Sequence, residues 1–175
     1  MARPEDKTVL VVDDEPNVRL YLRAILEDAG FSVVTAADGD EALNAIHQKK
    51  PDFISLDLVM PRKSGHKLLY ELRKDPALSR IPVLIVTAHA RDEMGQKDLE
   101  DLLENRIMLG PGTYLEKPVS PEAYVRAIQR ALGIEESDES RAKRDLKEEL
   151  DRSLRSASPE AMRLALEALS KAKKS

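Results

Sequence analysis

Along the first 133 residues, two hydrophobic patterns take turns. Short apolar runs rich in β-branched residues occur at Thr8–Val12, Ser32–Thr35, Phe53–Leu56, Val83–Val86 and Thr113–Leu115. Runs of this length, bounded by polar or turn residues, predict buried strands. Between them lie stretches whose apolar residues recur three or four positions apart. Val18, Tyr21, Leu22, Ile25 and Leu26 form one face of a helix that Gly30 ends. Ala42, Leu43 and Ile46 predict a second helix with Pro51 beyond it, Leu68, Leu69 and Leu72 a third, and Leu99, Leu102 and Leu103 a fourth. A fifth carries Ala123, Ala127, Ile128 and Ala131; Ser120-Pro121 supplies its cap and first-turn proline, and it closes near Gly133. Strand and helix alternating five times predict an α/β domain, a doubly wound parallel sheet covered on both faces. Ligands on such sheets bind at the carboxyl ends of the strands, so the residues that follow each apolar run are the candidates for chemistry.

From Ile134 the pattern changes. Glu135 to Ser140 is polar and charged, and Leu146, Leu150 and Leu154 then recur every four residues among charged neighbours. Ser158-Pro159-Glu160 reads as another helix start, followed by Met162, Ala165, Leu166 and Leu169. The expected division is a domain over residues 1–133 and a helical extension over 134–175, with no recognised output domain. The leucine stripe can pack on the main domain, dimerise, or dock on a partner.

Composition narrows the chemistry. Cysteine is absent, which excludes disulfides, zinc–thiolate sites and thiol catalysis. The N-terminus lacks the apolar stretch of a signal peptide, and no apolar run reaches the roughly 20 residues that span a bilayer, so a soluble, cytoplasmic protein is expected. The net charge of -4 argues against nucleic acid as the main partner. The tail balances its cations and anions, which is not a phosphate-binding footprint.

The strand ends carry a consistent set of residues. The first run ends in Asp13-Asp14, two carboxylates whose repulsion a hard cation such as Mg²⁺ would relieve. An acidic loop opening a helix explains the pair equally well. The third run ends in Asp57, a carboxylate that is costly after so apolar a strand unless something pairs with it, and one able to attack a phosphoryl group. Met60-Pro61 then turns the chain, and Gly65 is expected to permit an unusual backbone conformation before the next helix. The fourth run ends in Thr87-Ala88, a hydroxyl beside a small residue, and the fifth in Lys117-Pro118, a cation beside a candidate cis peptide bond. Each piece alone has an ordinary structural explanation. Together, an acid pair, a lone Asp, a Thr and a Lys, each ending a different strand, fit phosphoryl chemistry on a carboxylate.

These residues, with Val11-Val12-Asp13-Asp14, Asp57-Leu58-Val59-Met60-Pro61, Gly65, Thr87-Ala88, Tyr114 and Lys117-Pro118, resemble the receiver domains of two-component response regulators over roughly Lys7 to Leu132. The resemblance implies a flavodoxin-like sheet in the order 2-1-3-4-5. It implies that Asp57 is phosphorylated by a sensor histidine kinase or histidine phosphotransfer protein. It further implies that Asp13, Asp14, Asp57 and the Val59 carbonyl hold Mg²⁺, that Lys117 bonds the phosphoryl group, and that Thr87 and Tyr114 switch to alter binding of a downstream protein target. Such a protein catalyses only its own phosphotransfer and dephosphorylation. The stretch between Thr87 and Lys117, around Gly95 to Gly112, is longer than the family's usual length. Val59 and His89 occupy positions that tune phosphoryl lifetime in the family, whereas His47 and His66 read as surface residues.

Other readings meet obstacles. A haloacid-dehalogenase-type phosphatase needs a second Asp where Val59 stands, and a nucleotide-binding domain needs a Gly-rich first turn instead of Asp13-Asp14-Glu15-Pro16-Asn17. A DNA-binding regulator and a receiver fold retained only for protein binding are the remaining alternatives, and a homodimer through the tail is compatible with each.

Overall fold

The computed structural model describes residues 2–88, 114–135 and 138–172. The chain divides into two compact units, Met1–Glu135 and Glu136–Ser175. In the first, strands β1 (Thr8–Val12), β2 (Ser32–Ala36), β3 (Phe53–Leu56), β4 (Val83–Thr87) and β5 (Tyr114–Glu116) form one sheet in the order β2-β1-β3-β4-β5. All four neighbouring pairs are parallel. Among the described residues, the helices that pack on it are α1 (Pro16–Asp28), α2 (Gly39–Gln48), α3 (Ser64–Lys74) and α4 (Pro121–Ala131).

The alternation of side chains along the central strands sorts the core into two layers. Leu10, Val12, Ile54 and Leu56 face α2 and α3, packing with Ala42, Ile46, Leu68, Leu69 and Leu72. Val9, Val11, Phe53, Leu84 and Val86 face the other way and pack with Leu22, Leu26, Tyr124 and Ile128 of α1 and α4. Buried on both faces, β1 and β3 therefore read as largely apolar runs, with Thr8 and Ser55 their buried polar residues. Edge strand β2 is largely exposed apart from Ala36.

Local signals end the helices where the pattern predicts. Gly30 (φ +91°) and Gly133 (φ +65°) take the left-handed conformation that glycine adopts without penalty. The Ser120 side chain caps α4 by accepting the Ala123 N–H at 3.3 Å. The predicted fourth helix around Leu99, Leu102 and Leu103 and the segment from Gly95 to Gly112 lie outside the described residues, as does His89.

The second unit contains α5 (Asp138–Ser156) and α6 (Pro159–Ala172). Ser158 accepts the Ala161 N–H and opens α6. Leu146, Leu150 and Leu154 are exposed on α5, as are Met162, Leu164 and Leu166 on α6. No described helix is long and apolar enough to cross a membrane.

Candidate functional site

Register, more than any single residue, builds the site. Val12 of β1 lies opposite Leu56 of β3, so Asp13 and Asp57, each one position further on, emerge side by side. The backbone ladder continues one step past each strand. Asp13 N–H donates to the Ala36 carbonyl at 3.2 Å, Asp57 N–H to that of Val12 at 2.9 Å, and Lys117 N–H to that of Thr87 at 3.0 Å. The side chains of Asp13, Asp57 and Lys117 are therefore held by sheet geometry, not by loops. The strand order reverses between β1 and β3, where a crevice opens at the carboxyl edge of such sheets.

Asp13 and Asp57 are 1% and 4% exposed. Two buried carboxylates side by side are unfavourable without a cation, and Lys117 supplies one. Its Nζ lies 2.7 Å from Asp13 Oδ2, 3.1 Å from Asp57 Oδ2 and 3.6 Å from Glu15 Oε1. The remaining oxygens are taken by main-chain donors: Asp13 Oδ1 accepts the Glu15 N–H at 2.9 Å and Asp57 Oδ1 the Val59 N–H at 3.0 Å. Burial pushes the Asp57 carboxyl up to about 6; the Lys117 charge opposes this and the Asp13 charge adds to it. Burial alone would lower the Lys117 pKa, but its hydrogen bond to Asp13 and the charges of Asp57 and Asp13 raise it overall, so it remains an ammonium at neutral pH.

Asp14 completes the acidic group. One carboxylate oxygen each from Asp13, Asp14 and Asp57 lies within 4.8 Å of the others. Three converging carboxylates, two buried and Asp14 more open to solvent, are a hard oxygen donor set that fits Mg²⁺ with room left for water and phosphate oxygens. Thr87 is buried at the end of β4 and Ala88 is exposed beside it. Tyr114 starts β5 opposite Ile85, with its side chain turned outward and 38% exposed. The Lys117–Pro118 bond is cis.

Three expectations need correction or addition. Gly65 does not adopt an unusual conformation. It sits in α3, and a Cβ there would lie 2.5 Å from the Asp57 carbonyl oxygen and 2.9 Å from Leu58 Cα. Glycine is required because the helix packs directly on the backbone that carries Asp57. The left-handed residue of this turn is instead Arg62, at φ +59°. His66 is half-buried, with both ring nitrogens out of contact with solvent, so it is not the surface residue expected; His47 is exposed. Glu15 and Arg19 were not singled out in the sequence, yet Glu15 faces Lys117, and Arg19 Nη1 donates to the Asp13 main-chain carbonyl at 2.6 Å. The only trace of Arg19 in the sequence is its place one turn after Glu15 on the outward side of an amphipathic helix, where arginines are ordinary.

Comparison with known proteins agrees with this arrangement. Residues 9–129 match the response regulator receiver domain family. A "Probable transcriptional regulator ycf27" from Guillardia theta is 42% identical over 125 residues, covering 70% of this chain and 45% of its own length. The chain spans about half the length of the first curated relatives it matches. Among solved structures, the chemotaxis response regulator CheY4 of Vibrio cholerae is 31% identical with a TM-score of 0.59, covering 71% of this chain and 98% of that one. The receiver domain of a sensor histidine kinase from Pseudomonas aeruginosa, solved with a magnesium ion coordinated in its active-site cleft, is 28% identical with a TM-score of 0.62, covering 73% and 98%. With its acid pair, lone aspartate and lysine placed at the ends of β1, β3 and β5 of a 2-1-3-4-5 sheet, the chain belongs to the response-regulator receiver domain family.

Proposed function

We propose that this protein is a phosphorylation-dependent signalling switch whose phosphoacceptor is Asp57. The observation that carries the reading is the placement of Asp57: buried, bonded to Lys117, and sharing a cluster with Asp13 and Asp14 at the carboxyl edge of the sheet.

A carboxylate oxygen of Asp57 attacks the phosphorus of a phosphohistidine on a sensor kinase or phosphotransfer protein. The new O–P bond forms as the P–N bond breaks, and the imidazole nitrogen leaves with the electron pair. Main-chain donation from Val59 orients the carboxylate. Lys117 moves its charge from the carboxylates to the incoming phosphoryl oxygens. Asp13, Asp14 and Asp57 would hold Mg²⁺, which when bound neutralises the charge building up on the phosphoryl group; the related Pseudomonas aeruginosa receiver carries magnesium in its cleft. The protein thus catalyses only its own phosphorylation and dephosphorylation.

The output is a change of partner binding. Thr87 lies at the end of the strand beside the site, and Tyr114 starts the neighbouring strand with its ring outward. A phosphoryl group that draws the Thr87 hydroxyl towards it leaves space for the Tyr114 ring, a population shift driven by new charge-assisted bonds. A downstream protein reads the β5 face. The name of the Guillardia theta relative concerns a protein about twice as long as the shared stretch.

The test is incubation with Mg²⁺ and a small-molecule phosphodonor. Wild type should acquire acid-labile phosphate and Asp57→Asn should not. Absence of labelling on wild type, or equal labelling of both, refutes the assignment.

A further inference from the structure

Arg19 lies in the second turn of α1 and reaches back over the loop that the helix leaves. Its bond to the Asp13 carbonyl, 2.6 Å, is short even for a charge-assisted contact. The Arg19 main-chain N–H donates to the Glu15 carbonyl at 3.0 Å, and the Glu15 N–H donates to Asp13 Oδ1. Pro16 fixes the backbone between them. On the sheet side, the Asp13 N–H is held by Ala36. The Arg19 bond thus holds the carbonyl of the peptide unit joining Asp13 to Asp14, the Ala36 bond holds the unit before it, and the plane of the former sets the direction in which the Asp14 side chain leaves the backbone.

Two cations serve this acid cluster in different ways. Lys117 bonds Asp13 Oδ2 and Asp57 Oδ2, atoms that a divalent ion needs. The Arg19 bond takes a main-chain oxygen and leaves the carboxylate oxygens to a ligand. Lys117 must therefore yield when a metal enters, whereas Arg19 can stay in place throughout.

We propose that Arg19 is a positioning residue for the Mg²⁺ site: by clamping the Asp13–Asp14 peptide from α1, it presents the acid pair in the orientation the cation requires. The inference rests on the metal-site reading above. Groups that orient a ligand without touching the metal typically contribute tenfold or more to its affinity.

The sign of the effect separates this role from simple charge balance. Taking a cation away from three carboxylates should tighten Mg²⁺ binding if Arg19 acts only through its charge. Loss of a clamp should weaken it. Mg²⁺ is titrated into the full chain, as wild type, Arg19→Ala and Arg19→Lys, and followed by backbone amide shifts or calorimetry. Thermal unfolding in EDTA checks that each variant is folded. Expected is about a tenfold weaker Mg²⁺ affinity for Arg19→Ala, a smaller loss for Arg19→Lys, and phosphorylation restored to within about twofold of wild type at saturating Mg²⁺. Should Arg19→Ala unfold, Arg19→Lys carries the same sign. Unchanged or tighter Mg²⁺ binding in the folded variants overturns the proposal while leaving the metal site intact. A wild type that binds no Mg²⁺ overturns the metal-site reading itself, and the role of Arg19 with it.

Discussion

Asp57→Asn probes the electrostatics of the site while keeping its shape. In the metal-free protein, burial raises the Asp57 carboxyl from its ordinary 3.8 to about 6 even though Lys117 is bonded to it. The folded state therefore holds the proton more tightly than the unfolded chain, and ionised Asp57 works against folding. Its contribution to stability is fully present below about pH 4 and is lost as pH rises through about 6. That difference corresponds to at most about 3 kcal/mol, and relaxation and water at the rim reduce it to roughly 1–2 kcal/mol. Asparagine resembles the protonated acid at every pH. Asp57→Asn should therefore be more stable than wild type by about 1–2 kcal/mol at pH 7.5 in EDTA, a rise in Tm of several degrees for a unit of this size. The gain should shrink towards zero only below about pH 4, and excess Mg²⁺ should narrow it at pH 7.5 by stabilising wild type through binding. Urea or thermal unfolding of both proteins across this pH range, with and without Mg²⁺, is the assay. A variant no more stable than wild type at pH 7.5, or a gain independent of pH, would refute the reasoning.

Other substitutions test other contacts. Lys117→Met should abolish phosphorylation yet tighten Mg²⁺ binding several-fold, because the ammonium no longer competes for Asp13 and Asp57 oxygens; a calorimetric titration showing weaker binding would contradict this. Gly65→Ala drives a Cβ into the Asp57 carbonyl and Leu58, and should destabilise the domain by about 2–4 kcal/mol in urea unfolding while slowing phosphorylation. Arg62→Asn replaces a strained left-handed residue with one that tolerates it, and should stabilise by roughly 0.5–1 kcal/mol. Ser120→Ala removes the α4 cap and should cost about 1 kcal/mol with little effect on Mg²⁺ binding.

Much of this protein is legible one residue at a time. The buried runs of β1 and β3 announce themselves because a central parallel strand must be apolar on both faces. Ser120 and the glycines at 30 and 133 mark helix ends because capping and left-handed turns are local needs. Asp13, Asp14, Asp57, Thr87 and Lys117 stand out because a polar residue directly after an apolar run must lie at a strand end. What local pattern cannot carry is the distance between strands. Register across β1 and β3 decides that Asp13 and Asp57 share Lys117, and that the lysine sits closer to Asp13 than to Asp57. The packing of α3 on the Asp57 backbone decides why Gly65 is glycine, a steric reason in place of the conformational one its sequence suggests. The return of α1 over its own loop turns Arg19 from an ordinary helix arginine into a clamp on the acid pair. Strand ends are a property of the chain's own hydrophobic period. Which ends meet, and what grips them, depends on contacts between residues far apart in sequence, and only the folded structure decides that.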